Sequence, residues 1–233
     1  MSFLQGVCYS AVMRRQHLMN IYKKLLAAIG PRHWWPADTA EEVIFGAILT
    51  QNTSWKNVEQ AITALRQAGK LGFEQVAAMD EQELARLIRP ARFLNQKAKA
   101  LKVFADYFGK NYGFSIRRMR HKKTEVLREE LSGLYRIGPE TADSILLYAL
   151  GKPVFVIDVY TKRIFSRHSC LSMESPYNAF QNLFMDNLPR DTALYNEYHA
   201  LLVHVGNRYC KPRPLCDACP VRGAFRQRGK RRS

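Results

Sequence analysis

The stretch 134–158 restricts what this chain can fold into more than any other. It reads Leu134-Tyr-Arg-Ile-Gly-Pro-Glu-Thr-Ala-Asp-Ser-Ile, followed by Gly151-Lys-Pro-Val-Phe-Val-Ile-Asp158. A Gly-containing turn at Ile137-Gly138-Pro139 opens a helix, and the first N–H groups of a helix have no partner inside it. Such a terminus is a ready grip for a phosphate. The apolar run Val154–Ile157 then delivers one carboxylate, Asp158, into low-dielectric surroundings where acids become chemically useful.

Charge narrows the partner. Lys and Arg number 36 against 20 Asp and Glu, a formal +16 over 233 residues. A balance of that size implies a polyanion bound in a salt-sensitive way. With 47% hydrophobic residues the chain buries a real core and is not disordered. It has no run of the roughly 18–20 apolar residues a membrane span needs and no signal-type N-terminus, so a cytoplasmic, membrane-free protein is expected. Three of the five cysteines crowd near the C-terminus, which suits metal ligation better than a secreted disulfide framework.

Helix dominates the patterning. Apolar residues recur at three- and four-residue spacing over 41–49, 58–68, 81–88, 97–107, 125–134, 142–150 and 195–205. Short connectors bearing Gly, Pro or polar residues separate these runs. Val154–Ile157 is the only strand-like piece. An all-α protein follows.

The hairpin and the acid resemble the helix-hairpin-helix, Gly/Pro and Asp signature of the endonuclease III superfamily of base-excision DNA glycosylases, and the similarity runs over roughly 25–220. It implies two lobes: 41–152 as a central helical lobe ending in the hairpin, and 1–40 with 153–220 as a second lobe carrying a Cys-rich loop. The basic stretch 221–233 is expected to be a disordered tail. The resemblance also places the substrate cleft between the lobes with Asp158 on its wall, and implies a monomer acting on double-stranded DNA with damaged bases. Ile137, Gly138 and Thr141 would hold the DNA backbone, and Gln51 would fill the gap left by an extruded nucleotide or simply face solvent. Arg136 and Arg92 stand where relatives have Gly. Each either strains a left-handed backbone or reaches a phosphate.

Cleavage of an N-glycosidic bond passes through an oxocarbenium-like sugar, which a carboxylate stabilises while it orients or deprotonates water. Asp158 is the candidate, with capping of the helix that starts near Tyr160 as its alternative role. Relatives that also cut the strand carry a Lys two residues after the second hairpin Gly. Glu140 stands there, and a carboxylate forms no Schiff base. Trp34-Trp35-Pro36, with Phe45 on the next helix, resembles the pocket of the 3-methyladenine DNA glycosylase branch, which also carries Glu at the hairpin position. Aromatic faces hold flipped bases and attract the positive charge of alkylated purines. The same aromatics also suit an interface plug. The reading is a monofunctional glycosylase for alkylated purines. Its rivals are a bifunctional pyrimidine-lesion glycosylase/AP lyase, a mismatch-specific enzyme and a non-catalytic DNA-binding relative.

The chemistry requires no cofactor. Cys210, Cys216 and Cys219 resemble the [4Fe-4S] loop of the superfamily, but the first gap is one residue short and the expected fourth ligand is Phe225. A cubane needs four ligands. Three thiolates leave a labile cluster, a zinc completed by water or His204, or a metal-free loop. Cys8 and Cys170 have no ligand spacing, and His199 reads as a structural histidine on an apolar helix.

Overall fold

The computed structural model describes residues 15–225, and every regular element among them is helical. In chain order the helices are α1 (Arg15–Ile29), α2 (Ala40–Leu49), α3 (Trp55–Gln67), α4 (Phe73–Ala78), α5 (Glu81–Leu87), α6 (Leu94–Tyr112), α7 (Ile116–His121), α8 (Thr124–Ser132), α9 (Pro139–Ser144), α10 (Val159–Arg167), α11 (Tyr177–Met185) and α12 (Thr192–Arg208). The chain divides into two compact units, residues 35–152 and residues 1–34 with 153–233.

The 35–152 unit is organised around phenyl rings. Phe45 of α2 stacks on Phe73 of α4 at 4.3 Å and 10°. Phe104 and Phe108 of α6 close on the same ring at 4.6 and 6.0 Å. All four are fully buried, and burying one such side chain contributes roughly 1.5–3 kcal/mol. The start of α2 is fixed by Thr39, whose hydroxyl accepts from the Glu42 N–H while the Glu42 carboxylate accepts from the Asp38 N–H. The short α4 ends on Lys102, whose ammonium donates to the carbonyls of Val76, Ala77 and Met79. That cation satisfies carbonyls a helix end would otherwise leave open. Gly113, at φ 56, ends α6 in the left-handed conformation.

In the second unit, Phe155 stacks on Phe184 at 3.9 Å, with Tyr195 and Tyr198 edge-on at 5.3 and 5.8 Å. The Tyr198 hydroxyl donates to the Leu18 carbonyl and ties α12 to α1. Gly206 of α12 allows α10 close, since an added Cβ would lie 2.5 Å from Tyr160.

Val154–Ile157 is not a strand. All four residues are buried, yet their backbone is satisfied by side chains: Gln181 donates to the Phe155 carbonyl, and the Ile157 N–H donates to the Tyr177 hydroxyl. An apolar run reads like a buried strand when nothing in the sequence reveals those two partners. Residues 221–225 of the expected basic tail are among the described residues. Val221 and Ala224 are buried and Phe225 packs against rings, while residues 226–233, like Cys8, lie outside the described residues. None of the described helices is long and apolar enough to cross a membrane.

Candidate functional site

The turn 133–138 joins α8 to α9 and is braced from both sides. Asp143 of α9, fully buried, receives a bidentate pair from Arg128 of α8 at 2.7 and 3.0 Å. Opposite it, the Gln51 side-chain amide donates to the Arg136 carbonyl and the Thr141 hydroxyl at 2.9 and 3.0 Å. Gln51, Ile137, Gly138 and Thr141 are thus brought together. Gln51, Arg136, Ile137 and Gly138, with Ser132 and Leu134, line an open depression of about 410 Å³. Gln51 faces the hairpin rather than solvent, and both its hydrogen bonds must break before it can fill any gap in DNA. Gly138 has ordinary φ (−83) and nothing within 4 Å of an added Cβ. The protein itself does not need glycine here, so the bare backbone stays open to an approaching ligand. Glu140 is exposed in the first turn of α9.

Lys97 went unnoticed in the sequence. Its side chain is buried, and Nζ donates to the carbonyls of Leu49 and Ala91, each at 2.7 Å. Burial first, and then the nearby Arg136, pull its pKa down to about 8. Lys97 and Gln51 together link three backbone turns: the end of α2, the segment before Arg92, and the hairpin. Each of these turns holds residues in left-handed backbone, Asn52 at φ 52 in the one that ends α2. Arg136 has φ 59, Arg92 has φ 63 with ψ 169, and Phe93 follows at φ 48. The Arg92 conformation is essentially reserved for glycine, and strain of this kind costs on the order of 1–3 kcal/mol per residue.

Trp35 sits in an aromatic corner of the same unit. Trp55 meets it edge-on at 5.3 Å and Tyr148 at 5.2 Å and 56°. The Nε1–Cε2–Cζ2 edge of its indole lies against Gly46, where an added Cβ would come within 3.0 Å. Tyr148 belongs to a π-helical turn, Ile145–Ala149, closed by the bond from the Leu150 N–H to the Ile145 carbonyl. Such turns collect at functional sites. Phe45 is placed otherwise than a pocket face requires, because its ring is wholly buried against Phe73. Pro36 is exposed and lines a separate hollow of about 240 Å³ with Trp55, Ile62 and Arg66. Trp34, half-buried, belongs to the other unit.

Asp158 takes the capping role foreseen for it. It is the N-cap of α10, with Oδ1 accepting from the Thr161 N–H at 2.7 Å. Oδ2 lies 3.8 Å from Nε2 of His199, and both side chains are buried. Burial lowers the His199 pKa while the Asp158 carboxylate pulls it upward, and the net shift is down. A neutral imidazole therefore stands beside the carboxylate at neutral pH.

Residues 45–190 match the HhH-GPD superfamily of base excision DNA repair proteins. The chain belongs to that family. It is a base excision repair DNA glycosylase, an enzyme that hydrolyses N-glycosyl bonds. A Methanocaldococcus jannaschii protein provisionally named a DNA repair glycosylase is 47% identical over 206 residues, covering 88% of this chain and 94% of that one. Helicobacter pylori 3-methyladenine DNA glycosylase, solved with 1,N6-ethenoadenine, is 27% identical with a TM-score of 0.70 and coverages of 83% and 97%. A non-covalent endonuclease III–DNA complex shares the fold, with a TM-score of 0.75 at 17% identity over 89% and 92% of the two chains.

The glycosylase's C-terminal loop does not fit a four-thiolate cluster. Arg163 of α10 donates to the carbonyls of Cys210 and Gly206. Arg167 donates to the Cys210 sulfur at 3.3 Å and to the carbonyls of Lys211 and Pro212. Cys216 is exposed, Cys219 half-buried, and no group of three or more His, Cys, Asp or Glu side chains among the described residues is disposed to hold a metal. At the fourth position the Phe225 ring stacks on His168 at 4.0 Å and 3°. Arginine and aromatic contacts hold this loop.

Proposed function

We infer that this DNA glycosylase is monofunctional and releases alkylated purines such as 3-methyladenine. Asp158 acts on the sugar and Trp35 offers an aromatic face to the base. The observation that carries the reading is the Trp35–Trp55–Tyr148 corner, an electron-rich surface suited to a cationic purine. Because such a base departs readily, the site needs little beyond one carboxylate. The C1′–N bond breaks, its electron pair neutralises the departing purine, water adds to C1′, and Asp158 takes the water proton. The H. pylori relative, named for 3-methyladenine, supports the same substrate class.

Lysine chemistry finds no obvious seat. Position 140 is a carboxylate. Lys152 donates to the Lys122 carbonyl, and the Lys162 ammonium lies 5.2 Å from the Phe180 ring centre. Lys97 has the depressed pKa of a Schiff-base lysine, yet its nitrogen is buried and directed at two carbonyls.

The deciding experiment is mass spectrometry of bases freed from methylated duplex DNA by the wild-type protein and by Asp158→Asn, with borohydride trapping in parallel. Methylpurine release that vanishes in the variant, without a trapped adduct, supports the reading. A trapped protein–DNA adduct overturns the monofunctional part. Absence of methylpurine release by folded wild-type protein overturns the substrate.

A further inference from the structure

We propose that Arg92 and Arg136 are a pair of phosphate-binding side chains, held in strained backbone so that both guanidinium groups face the DNA strand. The proposal rests on the glycosylase assignment but not on which base is released. Three observations carry it. Both residues occupy positive φ, and Arg92 at ψ 169 lies where glycine is the residue with easy access. Both are exposed, and no hydrogen bond or ion pair engages either guanidinium among the described residues. In contrast Arg66, Arg128, Arg163 and Arg167 all have partners within the protein.

The third observation is that the two turns are tethered to each other. Lys97 holds the Ala91 carbonyl, immediately before Arg92, and the Leu49 carbonyl. Two residues past Leu49, Gln51 holds the Arg136 carbonyl. Arg136 also acts electrostatically on Lys97 and lines the depression beside Gly138. The backbone at both arginines is thus fixed by buried or half-buried donors, while the side chains have nothing to do inside the protein. A strained residue persists where surrounding structure over-determines it, and strain of this kind collects where ligands are clamped. Arginine presents a planar fork of donors that matches a phosphodiester.

The test uses full-length protein and an undamaged, fluorescein-labelled duplex, so that it stands or falls apart from substrate choice. Binding is measured by anisotropy across a NaCl series for wild type, R92G, R136G, the double glycine variant and R136K, with thermal melts alongside. Glycine relieves the strain, so each glycine variant is expected to melt no lower than wild type while binding about three- to tenfold more weakly. The slope of log affinity against log salt should shrink by about 1 per arginine removed and about 2 in the double variant. R136K should keep the wild-type slope. Wild-type affinity and slope in the glycine variants would overturn the proposal. So would weakened binding with an unchanged slope, which would assign the effect to the backbone alone. A lower melting temperature in either glycine variant would show that the arginine supports the fold instead.

Discussion

Lys97 and Asp158 are two buried charges with different settings. Lys97 directs its ammonium at two carbonyls, and its charge is spent on fixing turns. Asp158 divides its carboxylate: one oxygen caps α10, while the other faces a histidine kept neutral by burial. Both charges hydrogen-bond to backbone, but Lys97 has both its bonds there, whereas Asp158 has one oxygen so engaged and the other beside the imidazole. On the proposed mechanism that second oxygen is the one that faces the developing cation. The difference lies in how the partners are distributed, since both side chains are equally hidden from solvent.

The largest effect should fall on Asp158. Asp158→Asn keeps a capping oxygen for the Thr161 N–H but removes the charge, so base release should drop about a hundredfold to ten-thousandfold with the melting temperature nearly unchanged. If unfolding accompanied the loss, the contrast with Lys97 would collapse, because Asp158 would be structural too. Arg128→Ala comes next. It removes the bidentate partner of the fully buried Asp143 and should lower stability by on the order of 3–5 kcal/mol in urea unfolding, with release falling only as far as the hairpin loosens.

Lys97→Met sharpens the comparison through pH. A lysine held near 8 in the folded protein and near 10.5 when unfolded gives the unfolded state more bound protons between those values. Wild-type stability should therefore gain a rising contribution from about pH 8 towards 10.5, visible in urea midpoints and missing in the variant. At neutral pH the two orphaned carbonyls should make Lys97→Met less stable by about 1–3 kcal/mol. The smallest effect should come from Cys216→Ser. Because this thiol is exposed and the loop is held by Arg163 and Arg167, the melting temperature and base release should both stay at wild-type values. Loss of either would show that the thiols do work the arginines do not.

The helical class was legible because its signal is periodic, and the family because its hairpin and acid stand close together in sequence. Boundaries were harder. Helix α6 was expected over 97–107 but runs from Leu94 to Tyr112, since its last turn exposes Lys110 and Asn111 and carries little apolar pattern. Lys97 hid in Asn95-Gln96-Lys97-Ala98-Lys99, a stretch that reads as solvated. The spacing of 97, 101, 104 and 108, with the last three all core residues, was the signal that it lies on the buried face. Among the candidate site residues, Gln51 and the hairpin could be named ahead of the structure because the family resemblance points to them. Tyr148 and Trp55 escaped because ring contacts across the fold leave no mark in local sequence, and Phe45 read as a pocket residue because its stacking partner, Phe73, lies on another helix.

The π-helical turn at 145–149 has a consequence for the gene rather than the enzyme. A π turn accommodates one residue more than an α turn, so losing a single codon there leaves a helix that still closes its hydrogen bonds. Because the wide turn already absorbs the extra residue, the helix beyond it keeps nearly the same phase relative to Asp143 and the hairpin. An in-frame deletion at this point is therefore one the helix tolerates, and its effect is confined to the side chains of the turn itself, Tyr148 among them.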